Sequence, residues 1–214
     1  MTDDRELSDV LAGVEALYTA NLAEHGTTSE SVGWPDADAQ RLRFDKLAYI
    51  IELEAPKEKI TVNDWGCGYG AMFRYLDERA DVRLDGYAGY DISADMLAAA
   101  QTYVGDARAR WIRNAQVTET ADFTFVSGTF NVRMQAGDEA WRSYIEQTLL
   151  ELAARSRRGL AFNLLTTYVD WRKDDLFYAD PVHFFRFCRD NLSRYVTLLH
   201  DYPLHEWTIA VRLA

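Results

Sequence analysis

Residues 62–70 read VNDWGCGYG: three glycines at alternate positions follow an apolar run, and an aspartate stands two residues ahead of the first. Glycine adopts left-handed or crowded backbone conformations at low steric cost, so this stretch reads as a strand turning sharply into a helix. The backbone amides at such a turn point outward at the head of the next helix, where a ligand can meet them. Two templates fit. Gly66-x-Gly68-x-x-Ala71 satisfies the dinucleotide fingerprint in its Gly/Ala form, and Gly66-x-Gly68-x-Gly70 satisfies a second glycine-rich pattern.

Working outward, strand and helix signals alternate. Ile60 to Trp65 is a short apolar strand, and residues 71–79 are helical. Gly86 to Ile92 is a second strand, and Ser93 caps a helix through about Tyr103. Short strands follow at 110–113 and at 122–127 (DFTFVS). A helix over 138–157 leads to a fifth strand, GLAFNLL, at 159–165. This rhythm predicts a doubly wound, mostly parallel α/β sheet with its ligand crevice at the carboxyl ends of the strands. The ending differs: YVTLLH (195–200) and EWTIAVRL (206–213) are separated only by DYPLH. That gap is too short for a crossover helix, so the last of seven strands must run antiparallel.

Ahead of the sheet, Leu7, Val10, Leu11, Val14, Leu17, Tyr18 and Leu22 share one stripe of a helix over 5–24. A second helix spans about 37–54, stopped by Pro56. Residues 1–56 are expected to form a helical lid over a domain of residues 57–214. Within it, Trp34 and Arg43 flank the loop: Arg43 would reach a cofactor carboxylate and Trp34 would cover a reaction site, or else both belong to an ordinary solvated helix.

The chain has 214 residues and is 48% hydrophobic, enough for one α/β domain with elaborations. Its formal charge of −11 disfavours a phosphate backbone as a partner. The acidic N-terminus lacks the apolar core of a secretory signal, and no apolar run approaches membrane-spanning length, so a cytoplasmic protein without membrane partners is expected. Cys67 and Cys188 are the only cysteines, too few for a structural zinc site, and no metal is expected.

Two carboxylates give the turn its chemistry. Asp91 ends the second strand, 21 residues beyond Gly70, where it can accept hydrogen bonds from both hydroxyls of a ribose; the alternative is a helix N-terminal charge beside Ser93. Asp64 would repel a pyrophosphate but suits a cationic ligand or an ammonium group. VNDWGCGYG, then GYDISADMLAAA, then DFTFVSGTFN, over roughly residues 60–165, resembles the motif series of class I S-adenosylmethionine-dependent methyltransferases. The antiparallel terminal strand agrees with that fold. Where the family commonly has aliphatic or small residues, this chain has Asn63 and Trp65; Trp65 reads as wall packing.

The resemblance implies a cofactor, S-adenosylmethionine, and roles by position. Asp64 and the turn Gly66-Cys67-Gly68-Tyr69-Gly70 would hold the methionyl portion, and Asp91 the ribose. Ile92 and Met96 would pack near the adenine, whose edge meets Asn114 or Ala115, and Ser127 would lie beneath the sulfonium. The strand-four motif lacks the Asn/Asp-Pro-Pro-aromatic turn of enzymes that methylate nucleobase amines. With the acidic charge, that favours a small-molecule methyl acceptor over nucleic acid.

Catalytic groups are less defined. Asn131, Tyr168 and His200 are candidates at the carboxyl edge; for His200, on a strand that lies away from the cofactor in this fold, a structural role competes. Arg133 either grips an acidic substrate group or is a solvated loop residue. The aromatic segment 174–185 either walls a pocket or packs the helix that follows. Two other functions fit the glycine spacing: a Rossmann-type NAD(P)-dependent oxidoreductase, disfavoured by Asp64 and the final strand, and a non-catalytic nucleoside-binding protein of methyltransferase fold. The acceptor atom and the oligomeric state are not specified by these motifs.

Overall fold

The computed structural model describes residues 4–54 and 58–213; Pro56, expected as a helix stop, lies outside them. Its helices are α1 (Asp4–His25), α2 (Ala37–Glu54), α3 (Ala71–Asp77), α4 (Ala94–Val104), α5 (Asp138–Ala154) and α6 (Pro181–Asn191), with a 3-10 turn at Ser29–Val32. The strands are β1 (Ile60–Trp65), β2 (Leu84–Asp91), β3 (Ala109–Arg113), β4 (Ala121–Val126), β5 (Ser156–Thr166), β6 (Tyr178–Ala179), β7 (Tyr195–Leu199) and β8 (Glu206–Arg212).

Seven strands lie in the order β3-β2-β1-β4-β5-β8-β7, and the two-residue β6 pairs with the end of β5. β1 to β5 are mutually parallel, whereas β8 runs antiparallel to both its neighbours, β5 and β7. The chain therefore steps outward from β1 to β3 and returns on the other side of β1 at β4. That reversal leaves a crevice at the carboxyl ends of β1 and β4.

Side-chain alternation splits the core over the two faces of the sheet. Along β5, Leu160, Phe162 and Leu164 join Trp141, Ile145 and Leu149 of α5 and Phe184 of α6. Ala161 faces the other way, towards Phe44, Leu47, Ile50 and Ile51 of α2 and Met72, Phe73 and Leu76 of α3. Of the aromatic segment, Phe184 is fully buried and Phe185 and Phe187 pack against the same core. The packing alternative holds for these three rings.

Two expectations change. α2, expected with α1 in a covering unit of residues 1–56, lies on β5 and β8, and its buried apolar face belongs to the core beneath the sheet. The first strand-five residues were expected in a helix, but α5 ends at Ala154. Ser156 pairs with Ala121 of β4, and its hydroxyl donates to Leu152 O, closing the helix. Tertiary pairing overrides a continuous helical signal there.

Candidate active site

The turn after β1 is tied down on both sides. Gly66, Gly68 and Gly70 all have left-handed φ values, of 77°, 52° and 83°. The Gly66 and Cys67 amides both donate to Tyr90 O on β2. The Gly68 amide donates to Asp91 Oδ2 at 2.9 Å, and the Ser93 amide donates to Asp91 Oδ1 at 2.9 Å. Ser93 in turn caps α4 through Met96 N. One carboxylate thus joins the glycine turn to the head of α4, and each of its oxygens keeps a further acceptor direction. Burial raises the Asp91 pKa, its backbone hydrogen bonds partly oppose this, and the Glu15 carboxylate adds to the rise.

Two joined clefts open along this turn. The larger, about 830 Å³ including its solvent-open part, runs from the ends of β2 and β3 to the loop after β4, under α1 and beside α5. The smaller, about 320 Å³, lies between the turn and α2. Val32, Trp34, Gly66, Gly68 and Ser127 line both. Asp64 lines the smaller one. The Tyr87 hydroxyl donates to its Oδ2, while its Oδ1 is buried without a partner, as is Ser127 Oγ. Burial pushes the Asp64 pKa up to about 7, with the Tyr87 hydrogen bond lowering it and Asp91 raising it further.

An unpaired buried carboxylate oxygen calls for a donor. Next to a glycine turn and a second carboxylate with free acceptor sites, it fits an amino-acid ammonium attached to a nucleoside. No protein-family model matches the chain. A Mycobacterium tuberculosis (strain ATCC 25618 / H37Rv) protein named "Putative methyltransferase Rv1506c" is 48% identical over 160 residues, covering 73% of this chain and 95% of that protein. This chain belongs to the class I S-adenosylmethionine-dependent methyltransferases.

The fold of this methyltransferase is shared with solved structures at low identity. The DhpI-SAM-HEP complex is 13% identical with a TM-score of 0.65, covering 94% of this chain and 97% of that one. Magnesium protoporphyrin IX methyltransferase (ChlM) from Synechocystis PCC 6803 with bound SAH is 14% identical, TM-score 0.60, covering 82% and 83%.

Most of the residues singled out from sequence meet at the two clefts. Ile92, Met96, Asn114 and Ala115 line the larger one with Asp91; Cys67 lines the smaller with Asp64; Trp34 and Ser127 line both. Trp65 is a wall residue, its indole donating to Ala115 O at 2.9 Å. Gly70 and Arg43 line neither. A Cβ on Gly70 would meet the Trp111 ring at 2.6 Å, so this glycine serves the packing of α3 against β3. Arg43 Nε donates to Glu206 Oε2 at 2.8 Å, and the guanidinium lies 3.6 Å from the Trp34 ring centroid. It stands behind Trp34, stacked on that ring.

The catalytic candidates lie off the cleft walls. Asn131 is buried, and its Oδ1 accepts from Leu165 N, pinning the loop after β4 to β5. Tyr168 is 68% exposed and stacks near His200, which is also exposed. Arg133 is held by the carbonyls of Leu176 and Ala136 and by Asp138. In their place the cleft holds residues not singled out as site residues: Leu11, Val14, Glu15 and Tyr18 from α1, Thr129 after β4, and Trp141 and Tyr144 from α5. The α1 stripe was legible as an apolar face, but nothing local said that this face meets a cleft.

Proposed function

We propose that this methyltransferase acts in the cytoplasm on a small-molecule acceptor seated between α1 and α5. In this reading Asp91 receives the ribose hydroxyls, Asp64 the ammonium of the methionyl portion, and Ile92, Met96, Asn114 and Ala115 surround the adenine. The cofactor, when bound, supplies a methyl group on a sulfonium as an activated electrophile. The protein's part is then alignment and exclusion of water: Trp34 and the Ser29–Val32 turn cover the glycines, and α1 roofs the cleft. Aromatic faces and the Ser127 hydroxyl suit a dispersing positive charge better than a lysine would.

The acceptor class rests on one observation above all. Among the described residues no arginine, lysine or histidine lines either cleft, and the whole chain carries a net charge of −11. Nucleic-acid recognition draws on basic grooves that neutralise phosphates. Methyltransferases of this fold include ones named for a porphyrin and for small RNA, so the fold alone leaves the acceptor open. In support of a cytoplasmic setting, both cysteines are free and buried, and no helix among the described residues is long and apolar enough to cross a membrane.

Incubation with methyl-labelled cofactor and a cell extract separated into small-molecule, RNA and protein fractions tests the acceptor. Label is expected in the small-molecule fraction; label in RNA or protein overturns the reading. Separately, Asp91→Ala removes two charge-assisted hydrogen bonds to the ribose, and S-adenosylhomocysteine is expected to bind about 1–3 kcal/mol more weakly in calorimetry. Unchanged affinity would place the ribose elsewhere.

A further inference from the structure

Arg43, on α2, and Glu206, which opens β8, form an ion pair whose side chains are almost wholly buried, 6% and 0% exposed. Taking both charges out of water costs about as much as their attraction returns, so an apolar pair of the same volume would serve the fold as well. The arrangement also leaves Arg43 Nη1 buried without a hydrogen-bond partner. A pair built on those terms calls for a second role, and its surroundings supply one.

The guanidinium carbon of Arg43 lies 3.6 Å from the centroid of the Trp34 ring, so the buried cation is a flat plate on which the indole rests. Trp34 follows Gly33, whose φ is 81°, and its amide donates to Ser29 O at 3.0 Å. The benzo edge of the ring meets Gly128: a Cβ there would stand 2.3 Å from Cζ2 and 2.6 Å from Cη2. Gly128 is itself fixed, its amide donating to Asn163 Oδ1 of β5 at 2.7 Å. α2 reaches the glycine turn as well, because Gln40, one helical turn before Arg43, accepts from the Tyr69 hydroxyl at 3.0 Å. The plate is thus anchored through α2 and Glu206 to the sheet. The ring it carries lines both clefts.

We propose that Arg43, held by Glu206, is a positioning residue that acts through Trp34. It fixes the indole over the Gly66–Gly68 turn, so that the cofactor meets a preformed cover. This rests on the reading that Trp34 covers the cofactor. A ring free to leave that orientation lowers the apparent affinity in proportion to the time it spends misplaced. The planar fork matters as well as the charge: a lysine keeps a cation beside Glu206 but offers no plate.

Titration of S-adenosylhomocysteine by calorimetry into the full chain and three variants tests this. Arg43→Lys is expected to bind about tenfold more weakly, the scale of losing a desolvated cation–π contact. Trp34→Ala is expected to bind more weakly still, and in that background Arg43→Lys is expected to change affinity by less than about twofold, since its only route is gone. Fluorine NMR of protein labelled with 5-fluorotryptophan reads the ring itself, its resonance assigned by its loss in Trp34→Phe. One sharp Trp34 line is expected in the parent, and a broadened or split line in Arg43→Lys. If Arg43→Lys does not fold, Arg43→Met/Glu206→Leu takes its place, because it leaves no buried charge unpaired. Parental affinity in the Arg43 variant, an equal loss with and without Trp34, or an unchanged Trp34 line overturns the proposal. Parental affinity in Trp34→Ala counts against the cover role given under Proposed function and removes the proposal with it, so the two failures are distinct.

Discussion

Replacing Gly68 with valine is expected to leave a folded protein that binds no S-adenosylhomocysteine up to millimolar concentration. Gly68 sits at φ 52°, where a side-chain-bearing residue costs about 1–2 kcal/mol and a β-branched one is least tolerated. A Cβ there would stand 2.9 Å from Val32 Cγ1. The added isopropyl group would fill space that both clefts share and displace the Ser29–Val32 cover. It would also strain the amide that Gly68 donates to Asp91. Strain of this size is a fraction of a domain's stability, so the fold survives. A millimolar ceiling on affinity corresponds to about −4 kcal/mol of binding free energy. Gly70→Ala is the contrasting variant, because its Cβ meets Trp111 and reaches no cleft wall. It is expected to lower the unfolding midpoint while leaving affinity unchanged. Normal binding by Gly68→Val, or lost binding by a fully stable Gly70→Ala, would refute the close-approach argument.

These two glycines mark where sequence reading succeeds and where it stops. Strand and helix periodicity, the glycine turn and the short gap before EWTIAVRL carry the mostly parallel sheet and its antiparallel last strand, because each is a local constraint. Asp64 and Asp91 are legible for the same reason: strand ends at fixed spacing place them beside the turn. Roles that depend on what lies across the fold are not local. Gly70, like Gly68, has a left-handed φ, and only the position of Trp111, 41 residues on, separates packing from ligand approach. Arg43 lies close to Trp34 in the chain, yet its partner Glu206 is 163 residues away. Leu11, Val14 and Tyr18 announce an apolar face whose target, a cleft instead of a sheet, is set by how α1 docks. Asn131 stands at the expected edge but turns back to Leu165, since the loop after β4 must be anchored before it can wall anything.

Asp64 makes the cofactor site sensitive to pH in two opposite senses. In the free protein its pKa is raised from the ordinary carboxylate value to about 7, chiefly by burial, with one oxygen left unpaired. Between about pH 4 and 7 the folded state therefore holds a proton that the unfolded state has released. The stability this confers is full below about pH 4 and is lost as the pH rises through 7, by about 4 kcal/mol at most. Asp64→Asn cannot ionise, so its stability in denaturant melts is expected to exceed that of the parent chain by a few kcal/mol at pH 8 and to converge with it near pH 4.5. An ammonium seated against Asp64 reverses the preference, because the ionised form then gains a partner. Binding of S-adenosylhomocysteine at pH 6 is accordingly expected to release close to one proton, and none by pH 8.5. Calorimetry in two buffers of different ionisation enthalpy reads that proton directly. Melts of the variant that parallel the parent at both pH values, together with binding heats independent of buffer at pH 6, would mean that Asp64 is ionised before the cofactor arrives. Some group other than the ligand's ammonium would then have to compensate its buried charge.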